Sequence, residues 1–261
     1  MTAKTDLQGT VALVTGATGG IGRATVAALA EAGAQVIATD IGVQAQVDGA
    51  ASYAPLDVTS EAAWADVMAR IEQDYGRLDI LVNNAGISVT NSVAATSLAE
   101  FRKCFAINVE GVFLGTRAAQ SLLARSGAER EGGSSIINLS SVGGLRGAPM
   151  MSTYCASKGA VKLFSKSAAL EFAALKLPIR VNSVHPGGIE TEMMDTIFAR
   201  YVDEGLFADL DAARAAVSAG HAMSRMGQPR EIAEGIAFLA SPAASFMTGS
   251  ELVIDGGMTA R

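Results

Sequence analysis

The sequence predicts an α/β fold: one domain built on a doubly wound, parallel, seven-stranded sheet with helices on both faces. Short, continuously apolar runs recur along the chain, as strands buried on both faces require. Stretches with helical spacing alternate with them, which implies right-handed strand–helix–strand crossovers. No linker, repeat or low-complexity stretch divides the 261 residues, so residues 1–261 read as a single unit.

In chain order, residues 10–15 (TVALVT) read as the first strand. Residues 20–32 read as a helix stopped by Gly33. Residues 35–40 (QVIATD) are the second strand and 51–56 a weaker third. Ser60 can cap a helix that runs to Tyr75 and ends at Gly76. Residues 78–83 (LDILVN) are the fourth strand, followed by one long helix over 98–125. Residues 135–140 (SIINLS) are the fifth strand, and a second long helix spans 153–176, ended by Pro178. Residues 179–185 (IRVNSVH) and 251–254 (ELVI) complete the seven. Residues 190–227 break the alternation, with Met193, Met194, Phe198, Tyr201, Phe207 and Met223 set among charges. That segment is too long for a plain connection and reads as a substrate lid; the alternative is a packed helical insertion without a gating role.

An apolar share of 49% against 18% charged excludes a disordered chain. Aromatics are only 5%, so the interior must come from Ala, Val, Leu and Ile. The balance of 20 basic against 26 acidic residues leaves no electrostatic footprint for nucleic acid. Cys104 and Cys155 make no disulfide framework, although they could pair, and point to a reducing compartment. Residues 1–10 lack the apolar core of a signal peptide, and no apolar run approaches the roughly 20 residues of a membrane span. The expectation is a soluble, cytoplasmic protein. His185 and His221 have no metal-like partner set, so no metal is expected.

Between the first strand and its helix lies Thr15-Gly16-Ala17-Thr18-Gly19-Gly20-Ile21-Gly22. Glycines there permit a tight turn and let backbone N–H groups reach a pyrophosphate at the helix N-terminus. The spacing is wider than GxGxxG, and its position between strand and helix is what makes it specific. Asp40 ends the second strand, 18 residues beyond Gly22. A carboxylate there can accept from both ribose hydroxyls of an adenosine and repels a 2′-phosphate. No Lys or Arg stands in 41–45 or 17–20 to bind such a phosphate, which points to NAD(H) rather than NADP(H). Asp57-Val58 closes the third strand; Asp57 could hold an adenine amino group or simply serve the next helix.

Further along come Asn83-Asn84-Ala85-Gly86, Asn108-Val109-x-Gly111, Ser141, Tyr154-x-x-x-Lys158 and Pro186-Gly187-x-x-x-Thr191. With Thr15-Gly16-x-x-x-Gly20-x-Gly22 before them, this ordered set resembles the short-chain dehydrogenase/reductase family, over nearly the whole chain. The resemblance implies a Rossmann-type sheet and a nicotinamide dinucleotide held by Gly16, Thr18, Gly20, Ile21, Gly22, Asp40, Asp57 and Val58. It also implies that Asn84, Ala85 and Gly86 line the adenosine ribose. Pro186, Gly187, backbone at Ile189 and the Thr191 hydroxyl would hold the carboxamide and phosphates. By the same resemblance Asn108 sits at a helix irregularity and anchors a water behind Lys158. Members of the family commonly form homodimers or homotetramers, and Ala118, Ala119, Ala156, Gly159 and Ala160 would permit close approach.

The chemistry of the residues agrees. Tyr154 and Lys158 are four apart on a helix, hence on one face. A phenol is a poor base at neutral pH; an ammonium beside it, with the charge of an oxidised nicotinamide, favours the phenolate. Tyr154 would then exchange a proton with the substrate hydroxyl, with Lys158 also holding the cofactor. Ser141, rather than its neighbour Ser140, would hold the substrate oxygen. His185 reads as a structural strand-end histidine, and Cys155 as a packed thiol that could instead face the substrate. Soft apolar surface from Met150, Met151, Met193 and Met194 suits a bulky, hydrophobic secondary alcohol or ketone. The run IRVNSVHPGGIETEMM resembles bacterial hydroxysteroid and cyclic-alcohol dehydrogenases of that family. A 3-oxoacyl thioester reductase and a non-catalytic dinucleotide sensor are the alternatives.

Overall fold

The computed structural model describes residues 6–260. The first half of the stretch read above as lacking a leader, and both ends of the 1–261 unit, lie outside the described residues.

Seven parallel strands form one sheet: β1 (Val11–Thr15), β2 (Gln35–Asp40), β3 (Ala50–Pro55), β4 (Ile80–Asn83), β5 (Ser134–Leu139), β6 (Ile179–Pro186) and β7 (Glu251–Ile254). Their order is β3-β2-β1-β4-β5-β6-β7. The order reverses between β1 and β4, and at such a switch point a crevice opens beyond the carboxyl ends of the strands.

Period-two alternation sends successive strand side chains to opposite faces. On one face Ala12, Val14, Val36 and Val82 meet Val26 and Leu29 of α1 (Gly20–Glu31) and Ile232 and Ile236 of α8 (Pro229–Ala240). On the other, Val11, Leu13, Leu81 and Ile136 meet Trp64 of α2 (Glu61–Tyr75), Leu123 of α4 (Gly111–Ala128) and Phe172 of α5 (Ser152–Ala174). Both cores are aliphatic with few rings, as the composition requires.

The helix expected over 98–125 is α3 (Leu98–Phe105), a π-helical turn (Ala106–Glu110) and α4, with the irregularity at Asn108 that the resemblance implied. The extra residue turns Asn108 inward, where its side chain bonds groups outside its own helix. Helix α8 was not foreseen, although Pro229 at its first turn and a capping box from Gln228 and Glu231 announce it. The 190–227 segment holds two helices, α6 (Glu192–Asp203) and α7 (Leu210–Gly220). Phe198, Ala213 and Met226 give it a small core of its own. On α4, Ala119 is fully buried against the sheet, so it cannot belong to the exposed face suggested for it.

No helix among the described residues is long and apolar enough to cross a membrane. Cys104 is buried, Cys155 half-buried, and both are free thiols.

Candidate active site

The crevice at the carboxyl edge encloses about 730 Å³ and is lined by residues from nearly every strand end. Its β1–β2 side is assembled from backbone. Gly16 has φ +64°, and a Cβ on it would lie 2.8 Å from the Cα of Ala85. A Cβ on Gly22 would stand 2.1 Å from the Gly16 carbonyl oxygen. Thr15 Oγ1 accepts from the amides of Asn84 and Ala85 at 3.1 and 3.0 Å, and Asn84 Nδ2 donates back to the carbonyls of Thr15 and Gly16. The two glycine-bearing turns are thus locked together. Gly19 opens α1 without any side-chain cap, which leaves the helix N-terminus for a ligand. These features fit a dinucleotide pyrophosphate: the cradle has room only because the side chains are missing.

Asp40 sits at the end of β2, where its Oδ2 accepts from the amide and the hydroxyl of Thr18 at 3.0 and 2.6 Å. Both residues line the crevice. Arg23, one turn into α1, donates to the carbonyls of Thr18 and Gln46. It is the basic side chain nearest in sequence to this turn, and the sequence reading did not weigh it. Asp57 and Val58 also line the crevice. Asp57 Oδ1 accepts from the amide and hydroxyl of Thr59, a local turn ahead of α2, whose N-cap is Ser60.

Across the switch point, Ser141, Tyr154 and Lys158 meet in the same crevice. Ser140 and Ser141 separate cleanly. The Ser140 hydroxyl donates to the Lys158 carbonyl at 2.9 Å, whereas Ser141 Oγ accepts from the Gly143 amide at 3.0 Å and shares a hydrogen bond with Tyr154. Lys158 Nζ stands 5.8 Å from the centroid of the Tyr154 ring and donates to the Leu139 carbonyl at 2.7 Å. Gly86 lies against Lys158 and Asn108: a Cβ there would meet Asn108 Oδ1 at 3.2 Å and Lys158 Nζ at 3.3 Å. Asn108, fully buried in the π turn, accepts from the Ile87 amide and donates to Ser157 Oγ at 2.9 and 3.0 Å. Ser157 in turn donates to the Tyr154 carbonyl.

The electrostatics of the free protein bear on the phenolate expectation, which counted the charge of an oxidised nicotinamide as well as that of Lys158. In the free protein burial dominates: it pushes the Tyr154 phenol up to about 12, with the Ser141 hydrogen bond working the other way. Burial also lowers the Lys158 ammonium to about 8. The lysine alone therefore does not pull the phenol into the neutral range.

His185 is the structural residue the sequence suggested. Its Nδ1 bonds the Ser141 carbonyl and its Nε2 the Ser183 hydroxyl, and burial holds the imidazole below its ordinary range. The turn from Pro186 to Thr191 lines the crevice, and Thr191 caps α6 by accepting from the Met194 amide. A contact missed from sequence is His221, whose Nε2 accepts from the Gly188 amide at 3.0 Å. Nothing in the local sequence marks it, because its partner lies 33 residues away.

The remaining wall is apolar, with Met151, Met193, Met194 and Ile197, together with Tyr201 and Cys155. Cys155 therefore faces the crevice rather than a core. Arg200 of α6 donates to Asn91 Oδ1 at 2.7 Å, and Asn91 donates to Glu100 and to the Met150 carbonyl. This chain of bonds ties α6 to the loop after β4.

The comparisons with known proteins agree with this geometry. Residues 16–259 match the family model described as enoyl-(acyl carrier protein) reductase. The chain is 40% identical to an NADP-dependent (R)-specific alcohol dehydrogenase of Lentilactobacillus kefiri, over 98% of both chains. It is 41% identical to a cyclopentanol dehydrogenase of Comamonas testosteroni, over 96% of this chain and 97% of that one. Among solved structures it is similar to the ligand-free aldohexose dehydrogenase of Thermoplasma acidophilum. There the TM-score is 0.87 and the identity 33%, over 98% of this chain and 96% of that one. The chain belongs to the short-chain dehydrogenase/reductase family.

Proposed function

We propose that the protein interconverts a bulky, hydrophobic secondary alcohol and its ketone with NAD(H), Tyr154 acting as base and acid. The observation that carries this reading is the meeting of Ser141, Tyr154 and Lys158 at the carboxyl edge, beside a cradle that only glycines leave open.

A bound nicotinamide would supply the hydride acceptor or donor. Gly16, Thr18, Gly20, Ile21 and Gly22 hold the pyrophosphate side, while Asp40 takes the ribose hydroxyls and Asp57 and Val58 the adenine. Asn84, Ala85 and Gly86 form the floor; Pro186, Gly187, Ile189 and Thr191 close the nicotinamide end. Ser141 Oγ holds the substrate oxygen and Tyr154 Oη takes its proton in oxidation, returning it in reduction. Because burial opposes ionisation of the phenol, more positive charge than that of Lys158 is needed, and a bound oxidised nicotinamide would supply it. Asn108 holds the loop at Ile87 and, through Ser157, the catalytic helix. Segment 190–227 acts as the lid, and its methionines favour a ring-shaped or steroid-like substrate. The exposed apolar side chains of α4 and α5, Phe113, Leu163 and Leu170, suit a homodimer or homotetramer.

NADP(H) is the second reading, since a relative at 40% identity is NADP-dependent. Asp40 favours NAD, because its carboxylate would face a 2′-phosphate. Turnover of cycloalkanols, hydroxysteroids, short diols and 3-oxoacyl thioesters with each cofactor tests both. We expect cycloalkanol or steroid turnover with NAD preferred, and a kcat about 10²–10⁴-fold lower in Tyr154→Phe with NADH binding unchanged. Activity confined to diols or thioesters, or an undiminished Tyr154→Phe variant, sinks the reading.

A further inference from the structure

The turn after β6 rests on a histidine that no step above uses. His221 closes α7, and the residue is 2% exposed. Two bonds fix its proton. Nδ1 lies 2.8 Å from the Val217 carbonyl, which can only accept, so Nδ1 carries the hydrogen. Nε2 lies 3.0 Å from the Gly188 amide, which can only donate, so Nε2 is bare.

The fit around the ring is close. A Cβ on Gly187 would lie 2.9 Å from His221 Nε2, and one on Gly188 3.0 Å from His221 Cε1. The chain beyond the ring is also anchored, as the Met223 amide donates to the Gly256 carbonyl and the Ser224 amide to the His221 carbonyl. One imidazole therefore joins the end of the 190–227 segment, the crevice turn and the loop after β7. We propose that His221 is a positioning residue for the Pro186–Gly187–Gly188 turn, and that the protein's hold on its dinucleotide depends on the acceptor this imidazole offers the Gly188 amide.

A side chain without an acceptor in the place of Nε2 would leave the buried Gly188 N–H unpaired and release the turn from the ring.

The inference rests on the dinucleotide reading, and its test separates the two. NADH binding would be measured by fluorescence at one neutral pH for wild type, His221→Gln and His221→Leu. Glutamine keeps an acceptor near the place of Nε2; leucine offers none. We expect the His221→Gln Kd to stay within about twofold of wild type and the His221→Leu Kd to rise about tenfold, with the KM for NAD rising more than kcat falls. A His221→Leu variant that binds like wild type overturns the proposal, as does a His221→Gln variant that binds no better than His221→Leu. In parallel, the Gly188 amide of the cofactor-free wild type should show an NMR coupling across its hydrogen bond to His221 Nε2; the absence of that coupling refutes the proposal even if His221→Leu does not fold. Should wild type bind no NADH at all, the dinucleotide reading fails by itself and the coupling alone decides.

Discussion

Around residues 15–22 and 84–86 the crevice wall is main chain against main chain: Gly16 against Ala85, Gly22 against the Gly16 carbonyl, and Thr15 bridging two amides. Across the crevice, between α6 and the loop after β4, the wall is side chain against side chain. Arg200 reaches Asn91, Asn91 reaches Glu100, and Met193 stands 39% exposed at the rim. An added methyl has nowhere to go in the first wall, whereas the second can be retuned one side chain at a time. The family resemblance follows the first wall, and on the proposed function substrate choice is expected to follow the second.

The sharpest way to break that contrast is Gly22→Ala. Its new Cβ has no rotamer to escape into, so NADH affinity should fall about a hundredfold, a loss of about 2.7 kcal/mol of binding. Calorimetric titration checks this, and a variant that binds normally would mean that the cradle yields.

Lys158→Met sits between the walls and should divide function from stability. Turnover should drop by about 10²–10³-fold as the phenol loses its cation. The free protein should become more stable, by about 1–3 kcal/mol, because a buried ammonium is replaced by an apolar chain. The pH dependence gives the sign. Burial lowers this ammonium from its ordinary 10.5 to about 8, so between those values the unfolded chain binds more protons than the folded one. Wild-type stability should therefore rise with pH from 8 towards 10, and denaturant titrations of Lys158→Met should lack that rise.

The mildest effect is expected on the second wall. Arg200→Leu cuts α6 from the loop after β4 and should raise substrate KM by about three- to tenfold, with Kd for NADH unchanged. If cofactor affinity moved instead, the two walls would not be independent.

These walls also differ in how plainly the sequence announces them. The cradle is spelled in adjacent residues, because a left-handed glycine or a strand-end carboxylate acts where it stands. All seven strands were legible for the same reason: each is a local run of apolar residues. The π turn was legible only through the family resemblance, because it depends on Asn108 finding Ile87 and Ser157, which are 21 and 49 residues away. His221 meeting Gly188 is a contact of the same kind. The high phenol of Tyr154 could not be read at all, since desolvation sums over every group packed around the ring. Helix α8 was legible in principle, but its Gln-Pro-x-Glu start is a less familiar cap than a serine or aspartate.

The small core of Phe198, Ala213 and Met226 stands apart from the two that line the sheet. On the lid reading, the amides of α6 and α7 are expected to exchange with solvent faster than those of β1 to β7, which hydrogen exchange measures.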